Sequence, residues 1–290
     1  MNVIDFLFSY NQSIKIDFNN KRYFKGFRKL FNYPYKFILD KFRELFSLKK
    51  FNLDEHEQHF KDMGLDELFE KYNSDKASKF VINNEKINGH NYSPFYEKYF
   101  KKYKELNNLR ILEIGSLKGA ATASFYKYFN RPKIICADIN PFQIQVFSKD
   151  IRSIYLNTQS KDSIKNLSFF LDKDFDIIID DGSHNIKDQI ITFNTFFRKL
   201  KKNGIYVIED SSQYLSASHL NPDNLNYGSK EILLSIKNNS IDKVSYLSNL
   251  EIDILKKEMG NINLEKGSYI ENKINISEII FIEKKWLKIV

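Results

Sequence analysis

With 290 residues, 42% of them hydrophobic, the chain is long enough for one large α/β domain plus an appendage, and it has the apolar side chains for a packed core, which excludes wholesale disorder. A single cysteine, Cys136, excludes an internal disulfide and any multi-cysteine zinc site and points to a reducing cytosol. The formal net charge of +8 is concentrated near the start, because residues 1–50 carry eleven Lys and Arg against four Asp and Glu.

The same fifty residues hold thirteen Phe and Tyr. Phe24, Phe27 and Phe31 have helical spacing, Pro34 interrupts it, and Ile38, Phe42, Leu45 and Phe46 resume it, which predicts two short amphipathic helices. Three roles compete for them: packing on the main domain or on another subunit, contact with an anionic membrane surface, and, least favoured, binding of nucleic acid in a single-strand groove. The first eight residues lack the positive region and the longer apolar core of a secretory signal, and no apolar run reaches the ~18 residues of a membrane span. A cytoplasmic protein is expected, with peripheral contact at the inner membrane face through residues 1–50 left open. Residues 51–70 turn acidic and read as a linking helix, where Glu55, His56 and His59 could hold a metal but are more often a solvated polar face.

Residues 71–97 read as a loop that leads, from Phe95, into a helix carrying Tyr96, Tyr99 and Phe100. From residue 109 the pattern becomes regular. Strands are expected at 109–115, 133–139, 153–157, 176–180 and 204–210, with helices at 119–129, 141–149, 162–171 and 186–200. The last of these helices has an apolar face of Ile186, Ile190, Phe193, Phe197 and Leu200. Strands alternating with helices predict a doubly wound, mostly parallel sheet with helices on both faces. A helix near 230–237, a strand near 244–248 and a final strand at 278–283 complete a Rossmann-like sheet of seven strands.

Chemistry collects at the strand ends. The first strand delivers Glu113, Gly115 and Gly119, and glycines at such a turn let the backbone approach a ligand. The middle glycine of the dinucleotide fingerprint is missing, so a pyrophosphate has little support. Asp138 ends the second strand, placed for two ribose hydroxyls. Glu113 and Asp138 together favour a cationic nucleoside over NAD. Asp180, Asp181 and His184 follow the strand Ile177-Ile-Ile179, where open α/β sheets put their ligands. Side chains alternate along a strand, so only one of Asp180 and Asp181 can face a given site, and Asp181 is preferred because the turn can bring His184 beside it. The bland alternative is that both aspartates end a strand and cap a helix. Glu209 and Asp210 pose the same choice, and Asp210 is preferred.

The stretch Leu112-Glu-Ile-Gly-Ser-Leu-Lys-Gly119, with Ala137-Asp-Ile139 and the strand series, resembles class I S-adenosylmethionine-dependent methyltransferases, and its Glu-x-Gly-x-x-x-Gly form looks most like the metal-dependent catechol O-methyltransferase type. Asp180-Asp-Gly-Ser-His184, taken with Tyr206-Val-Ile-Glu-Asp210, Ser74-Asp-Lys76 and His90-x-Tyr92, resembles the bacterial sugar O-methyltransferases that act on macrolide deoxysugars and relatives in surface-glycan loci. The likeness covers about residues 68–212. It implies S-adenosylmethionine held by Glu113, Gly115, Gly119, Asp138, Gln159 and Asp180. It further implies Mg²⁺ or another divalent cation on Asp181, Asp210 and Glu97, His184 as base, a sugar, sugar-nucleotide or glycan substrate, and a homo-oligomer. The expected organisation is a basic helical extension over 1–66, a substrate-access segment over 67–106 and a methyltransferase domain over 107–290. Two departures stand out: the segment between Lys76 and His90 is longer than in the family, and residues 1–66 have no counterpart.

A sugar hydroxyl scarcely ionises at neutral pH, so a cation that polarises it and an imidazole that takes its proton suit the reaction. Competing readings are a nucleotide-dependent oxidoreductase or hydroxylase, for which a glycine triplet and a two-His facial group are missing, and a non-catalytic scaffold that binds the cofactor and uses the basic arm. A Gly-x-Ser-x-Gly elbow, which a hydrolase of this architecture would use, is absent.

Overall fold

The computed structural model describes residues 1–45, 51–54, 60, 63–129, 131–172, 174–241 and 243–285. Glu55, His56 and His59, and also Phe46, lie outside the described residues. The chain begins with α1 (Val3–Asn19), α2 (Tyr23–Leu45), β1 (Phe51–Asn52), α3 (Leu65–Tyr72), β2 (Lys79–Ile82), β3 (Glu85–Asn88) and α4 (Ser93–Phe100). The alternating part runs β4 (Arg110–Ile114), α5 (Ala120–Tyr128), β5 (Lys133–Asp138), β6 (Val146–Phe147), β7 (Ile151–Tyr155), α6 (Lys161–Phe170), β8 (Phe175–Asp180), α7 (Ile186–Phe197) and β9 (Leu200–Ile208). The tail adds α8 (Ser229–Lys237), α9 (Asn249–Glu258), β10 (Met259–Lys266), β11 (Ile270–Glu271), β12 (Ile274–Asn275) and β13 (Glu278–Lys284).

Seven strands form one sheet in the order β10-β13-β9-β8-β4-β5-β7. The five from β9 to β7 are parallel, while β13 is antiparallel to both its neighbours. This is the expected doubly wound Rossmann-like sheet. After β4 the chain first builds outward through β5 and β7, then returns to lay β8 on the other side of β4. That reversal opens a crevice at the carboxyl ends of β4 and β8.

Alternation along the central strands divides the core into two layers. Ile178, Tyr206 and Ile208 pack with Phe193, Phe196 and Phe197 of α7 on one face. Ile177, Ile179, Ile205 and Val207 pack with Phe69, Tyr96 and Phe125 on the other. Ile177, Ile178 and Ile179 are fully buried, and each contributes about 1.5–3 kcal/mol relative to exposure.

Several local expectations give way to tertiary contacts. Residues 23–45 form one helix rather than two, because the Leu30 carbonyl, which Pro34 cannot serve, accepts from the Tyr10 hydroxyl at 3.4 Å. Residues 3–19 form a helix that the aromatic pattern did not reveal. Its Ser9 side chain accepts from the Tyr155 amide at 2.9 Å, and its buried Asp5 takes two bonds from Arg152, so α1 covers the outer strand β7.

The segment 141–149 is not a helix. Val146 and Phe147 pair in parallel with Phe51 and Asn52, which also replaces the start of the linking helix expected at 51–70. The strand expected near 244–248 is a turn leading into α9, whose Ser248-x-x-Glu251 capping box is a readable start signal. The Asn- and Lys-rich stretch after it pairs as β10, and the helix expected to end at 200 stops at Phe197, with Leu200 beginning β9.

Candidate active site

The parallel register brings Ile114 of β4 opposite Asp180 of β8 and Asp180 opposite Ile208 of β9. The residues just beyond, Gly115, Asp181 and Asp210, therefore meet at one end of the sheet. Gly115 has φ +82°, and a Cβ there would lie 1.8 Å from the Asp181 carbonyl oxygen, so the close joining of β4 and β8 itself requires glycine. Gly119 has φ +84° and caps α5.

The ends of β8 and β9 supply three donors. One ligand atom from each of Asp181, His184 and Asp210 lies within 4.8 Å of the others. His184 turns its Nε2 to Asp181 Oδ1 at 3.7 Å, and its Nδ1 is buried without a hydrogen-bond partner. His184 and Asp210 both have left-handed backbone, with φ +55° and +52°. Asp and His tolerate that region better than most residues, and such positions gather at functional sites. Asn185 then starts α7, its side chain accepting from the Lys187 amide.

Around these donors the charges are interlocked. Lys76 Nζ sits 2.6 Å from Asp181 Oδ2 and 2.6 Å from Glu209 Oε2. Burial pushes this ammonium down, but Asp181 and Glu209 push it further up, well above its usual value. The Tyr96 hydroxyl donates to the other Glu209 oxygen. Burial, together with the Asp181 charge, pushes Glu209 well up against the pull of Lys76. Asp210 accepts from the Tyr92 hydroxyl at 2.5 Å and lies 3.1 Å from His90 Nδ1. Burial pushes Asp210 up, yet the hydrogen bond and charge of His90, the charge of His184 and the Tyr92 hydroxyl hold it at about 2, so it is ionised.

A cavity of about 790 Å³ opens on this cluster and extends to Glu113, Gly115 and Asp138. A second lobe of about 230 Å³ is lined by Asp138, Ile139, Asn157 and Gln159. Burial pushes the Glu113 carboxyl up to about 7, opposed by the Thr122 hydroxyl that donates to it and by the Lys76 charge. Asp138 accepts from the Leu117 amide at 2.9 Å, the Asn140 amide at 2.8 Å and Gln143 Nε2 at 3.1 Å, which fixes its carboxylate between the two lobes. The hairpin β2–β3 reaches the same cavity with Phe80, Val81 and Ile82.

Residues 112–211 match the family described as a methyltransferase domain. The chain is similar to the Mycinamicin VI 2''-O-methyltransferase of Micromonospora griseorubida, at 29% identity over 134 residues, 42% of this chain and 31% of that protein. It is also similar to an 8-demethyl-8-alpha-L-rhamnosyl tetracenomycin-C 2'-O-methyltransferase of Streptomyces olivaceus, at 26% identity over 128 residues, 42% of this chain and 33% of that protein. The matched stretch thus spans about a third of the length of these relatives. The expected resemblance to sugar O-methyltransferases is borne out. In fold, the chain is similar to the MycE methyltransferase of the mycinamycin biosynthetic pathway, solved in complex with Mg and SAH. The TM-score is 0.56 at 20% identity, covering 78% of this chain and 55% of that one.

Within the matched residues 112–211, the expected cofactor residues Glu113, Gly115, Asp138 and Gln159 line one or other lobe, and Gly119 stands at the head of α5 beside them. Two expected residues do not join the site. Asp180 points to the opposite face of β8, where it accepts from the Tyr206 hydroxyl at 3.1 Å and burial pushes it up to about 7. Strand alternation forbids it from sharing the cavity with Asp181. Glu97 lies outside the methyltransferase match and outside the donor cluster; its Oε1 accepts from the Leu65 amide at 2.6 Å, closing the start of α3. The residues that sequence reasoning left without a role are Lys76, His90, Tyr92 and Tyr96. The first three stand inside Ser74-Asp-Lys76 and His90-x-Tyr92, so the signal was present, but only folding brings those segments against β8 and β9.

Proposed function

We propose that the protein is an S-adenosylmethionine-dependent, divalent-cation-assisted O-methyltransferase acting on a hydroxyl of a sugar, sugar nucleotide or glycan precursor. The observation that carries this reading is the meeting of Asp181, His184 and Asp210 in the same cavity as Glu113 and Asp138. The names of the sugar O-methyltransferases it resembles, and the Mg and SAH bound by MycE, support the reading.

The residues suit both groups. Hard oxygen donors from Asp181 and an ionised Asp210, gathered within 4.8 Å of a ring nitrogen of the half-buried His184, fit a divalent cation. Asp138 offers a carboxylate to ribose hydroxyls, Glu113 an acceptor for the cofactor's ammonium group, and the lobe at Gln159 a place for adenine. When bound, the cation would polarise the acceptor hydroxyl and the cofactor would present an electrophilic methyl group. His184 takes the hydroxyl proton on Nε2, the nitrogen turned to the carboxylates. Lys76 holds Asp181 in place and balances part of the local negative charge. Phe80, Val81 and Ile82 of the β2–β3 hairpin, within the 67–106 access segment, limit how the acceptor enters the 107–290 domain.

The nearness of His184 to both aspartates favours one second reading, in which it is a third ligand rather than the base. The test is methyl transfer from labelled S-adenosylmethionine to nucleotide sugars and glycan fragments, with and without EDTA. Transfer that EDTA abolishes and Mg²⁺ restores supports the proposal. Binding of NAD in preference to S-adenosylhomocysteine, measured by calorimetry, would sink it.

A further inference from the structure

The solvent-facing side of α2 breaks the usual rule of burial. Phe24, Phe27, Phe31, Tyr35, Ile38 and Leu45 recur at steps of three and four, with one of seven, and each is more than half exposed. They lie on one side of a helix that is about 35 Å long at 1.5 Å per residue. Gly26, Tyr33 and Asp40 face the other way and are buried. Lys25, Arg28, Lys36 and Arg43 are exposed along the same helix. Its two acids are turned inward, Asp40 and Glu44 both receiving the Met1 amino group, at 3.4 and 3.1 Å, and Glu44 also pairing with Lys41. The exposed part of α2 is therefore apolar and cationic, with no exposed carboxylate of its own.

We propose that this face docks on an anionic phospholipid surface, with α2 lying in the plane of the headgroups. Charge complementarity selects that occupant. A second copy would bring like cations together without an acid to pair them, which opposes association. Single-stranded nucleic acid is held in grooves where bases stack, whereas α2 offers a convex cylinder in which aliphatic Ile38 and Leu45 continue the aromatic row. No helix among the described residues is long and apolar enough to cross a membrane, so the geometry is that of an interfacial helix. The arm is tied to the sheet by the Asp5–Arg152 pair and by the Ser9–Tyr155 bond, so docking would bring the whole domain to the surface.

The test is co-sedimentation of the full chain with vesicles of phosphatidylcholine alone or with about a third phosphatidylglycerol. Binding should rise at least about tenfold with the anionic lipid and weaken with salt. Two variants, Phe24→Ser/Phe31→Ser/Ile38→Ser and Lys25→Glu/Arg28→Glu/Lys36→Glu, should each lose about tenfold or more with unchanged circular dichroism melting. The exposed positions make unfolding an unexpected result, and the wild-type lipid comparison stands without the variants. Indifference to anionic lipid overturns the proposal. So does a sedimentation-velocity dimer that the apolar-face variant turns into monomer, or binding of a labelled single-stranded oligonucleotide, read by anisotropy, in place of vesicles.

Discussion

The carboxyl end of the sheet and the N-terminal arm depart from ordinary burial in opposite directions. The first hides charge: Lys76, Glu209 and Asp210 are buried, and each is satisfied by a neighbour of opposite charge or by a tyrosine hydroxyl. The second shows apolar rings to solvent along α2. Burying charge is costly unless it is paired, and exposing a row of rings forfeits the stabilisation that burial would bring. On the two proposals made above, each departure marks a surface whose partner is another molecule. The difference lies in what sets specificity: fixed geometry inside the cavity, and charge and area on the arm.

The sharpest way to break this contrast is at His184. His184→Ala should lower kcat by about 10²–10⁴-fold while calorimetric binding of S-adenosylhomocysteine stays unchanged. If Mg²⁺ affinity falls as well, the ring is a ligand; if turnover is unaffected, the cluster is structural. Next in size is Lys76→Met, which leaves Asp181 and Glu209 without their shared ammonium. The unfolding free energy from urea titration should fall by about 3–5 kcal/mol. A loss under about 1 kcal/mol would mean that the two carboxylates are satisfied without Lys76.

A smaller effect is expected from Glu113. Its folded value of about 7 lies above the ordinary carboxylate value, so it retains a proton that the unfolded chain has already lost. Its contribution to stability is present below the ordinary value and lost as pH rises through about 7. A cofactor ammonium favours the ionised form, so S-adenosylhomocysteine should bind up to about tenfold more tightly at pH 8 than at pH 6. Glu113→Gln should flatten that profile, and a wild-type profile flat over the same range would remove Glu113 from the cofactor site. The smallest effect belongs to the arm. Asp5→Ala removes two bonds to Arg152, whose side chain is 41% exposed and can turn to water. The stability loss should be about 1 kcal/mol, with faster release of the arm by limited proteolysis. Cleavage at the wild-type rate would show that the pair does not hold α1 to β7.

Much of this molecule is legible in one dimension. Alternating strands and helices between residues 109 and 210, the run Ile177-Ile-Ile179 and the periodic face of α7 specify a parallel sheet, because hydrophobic periodicity is a local property. Asp181 over Asp180, and Asp210 at the next strand end, follow from alternation and from strand order. What the sequence withheld depends on partners distant along the chain. Tyr10 lets α2 run through Pro34, β1 turns residues 146–147 into a strand, and the Leu65 amide engages Glu97 away from Asp181, His184 and Asp210. Lys76, His90, Tyr92 and Tyr96 reach Asp181, Glu209 and Asp210 across more than a hundred residues. Residue order by itself determined the sheet and the acids and imidazole at its edge, since period and alternation act over a few residues. Only the tertiary structure decided which charges neutralise which, because electrostatic pairing depends on distance in space.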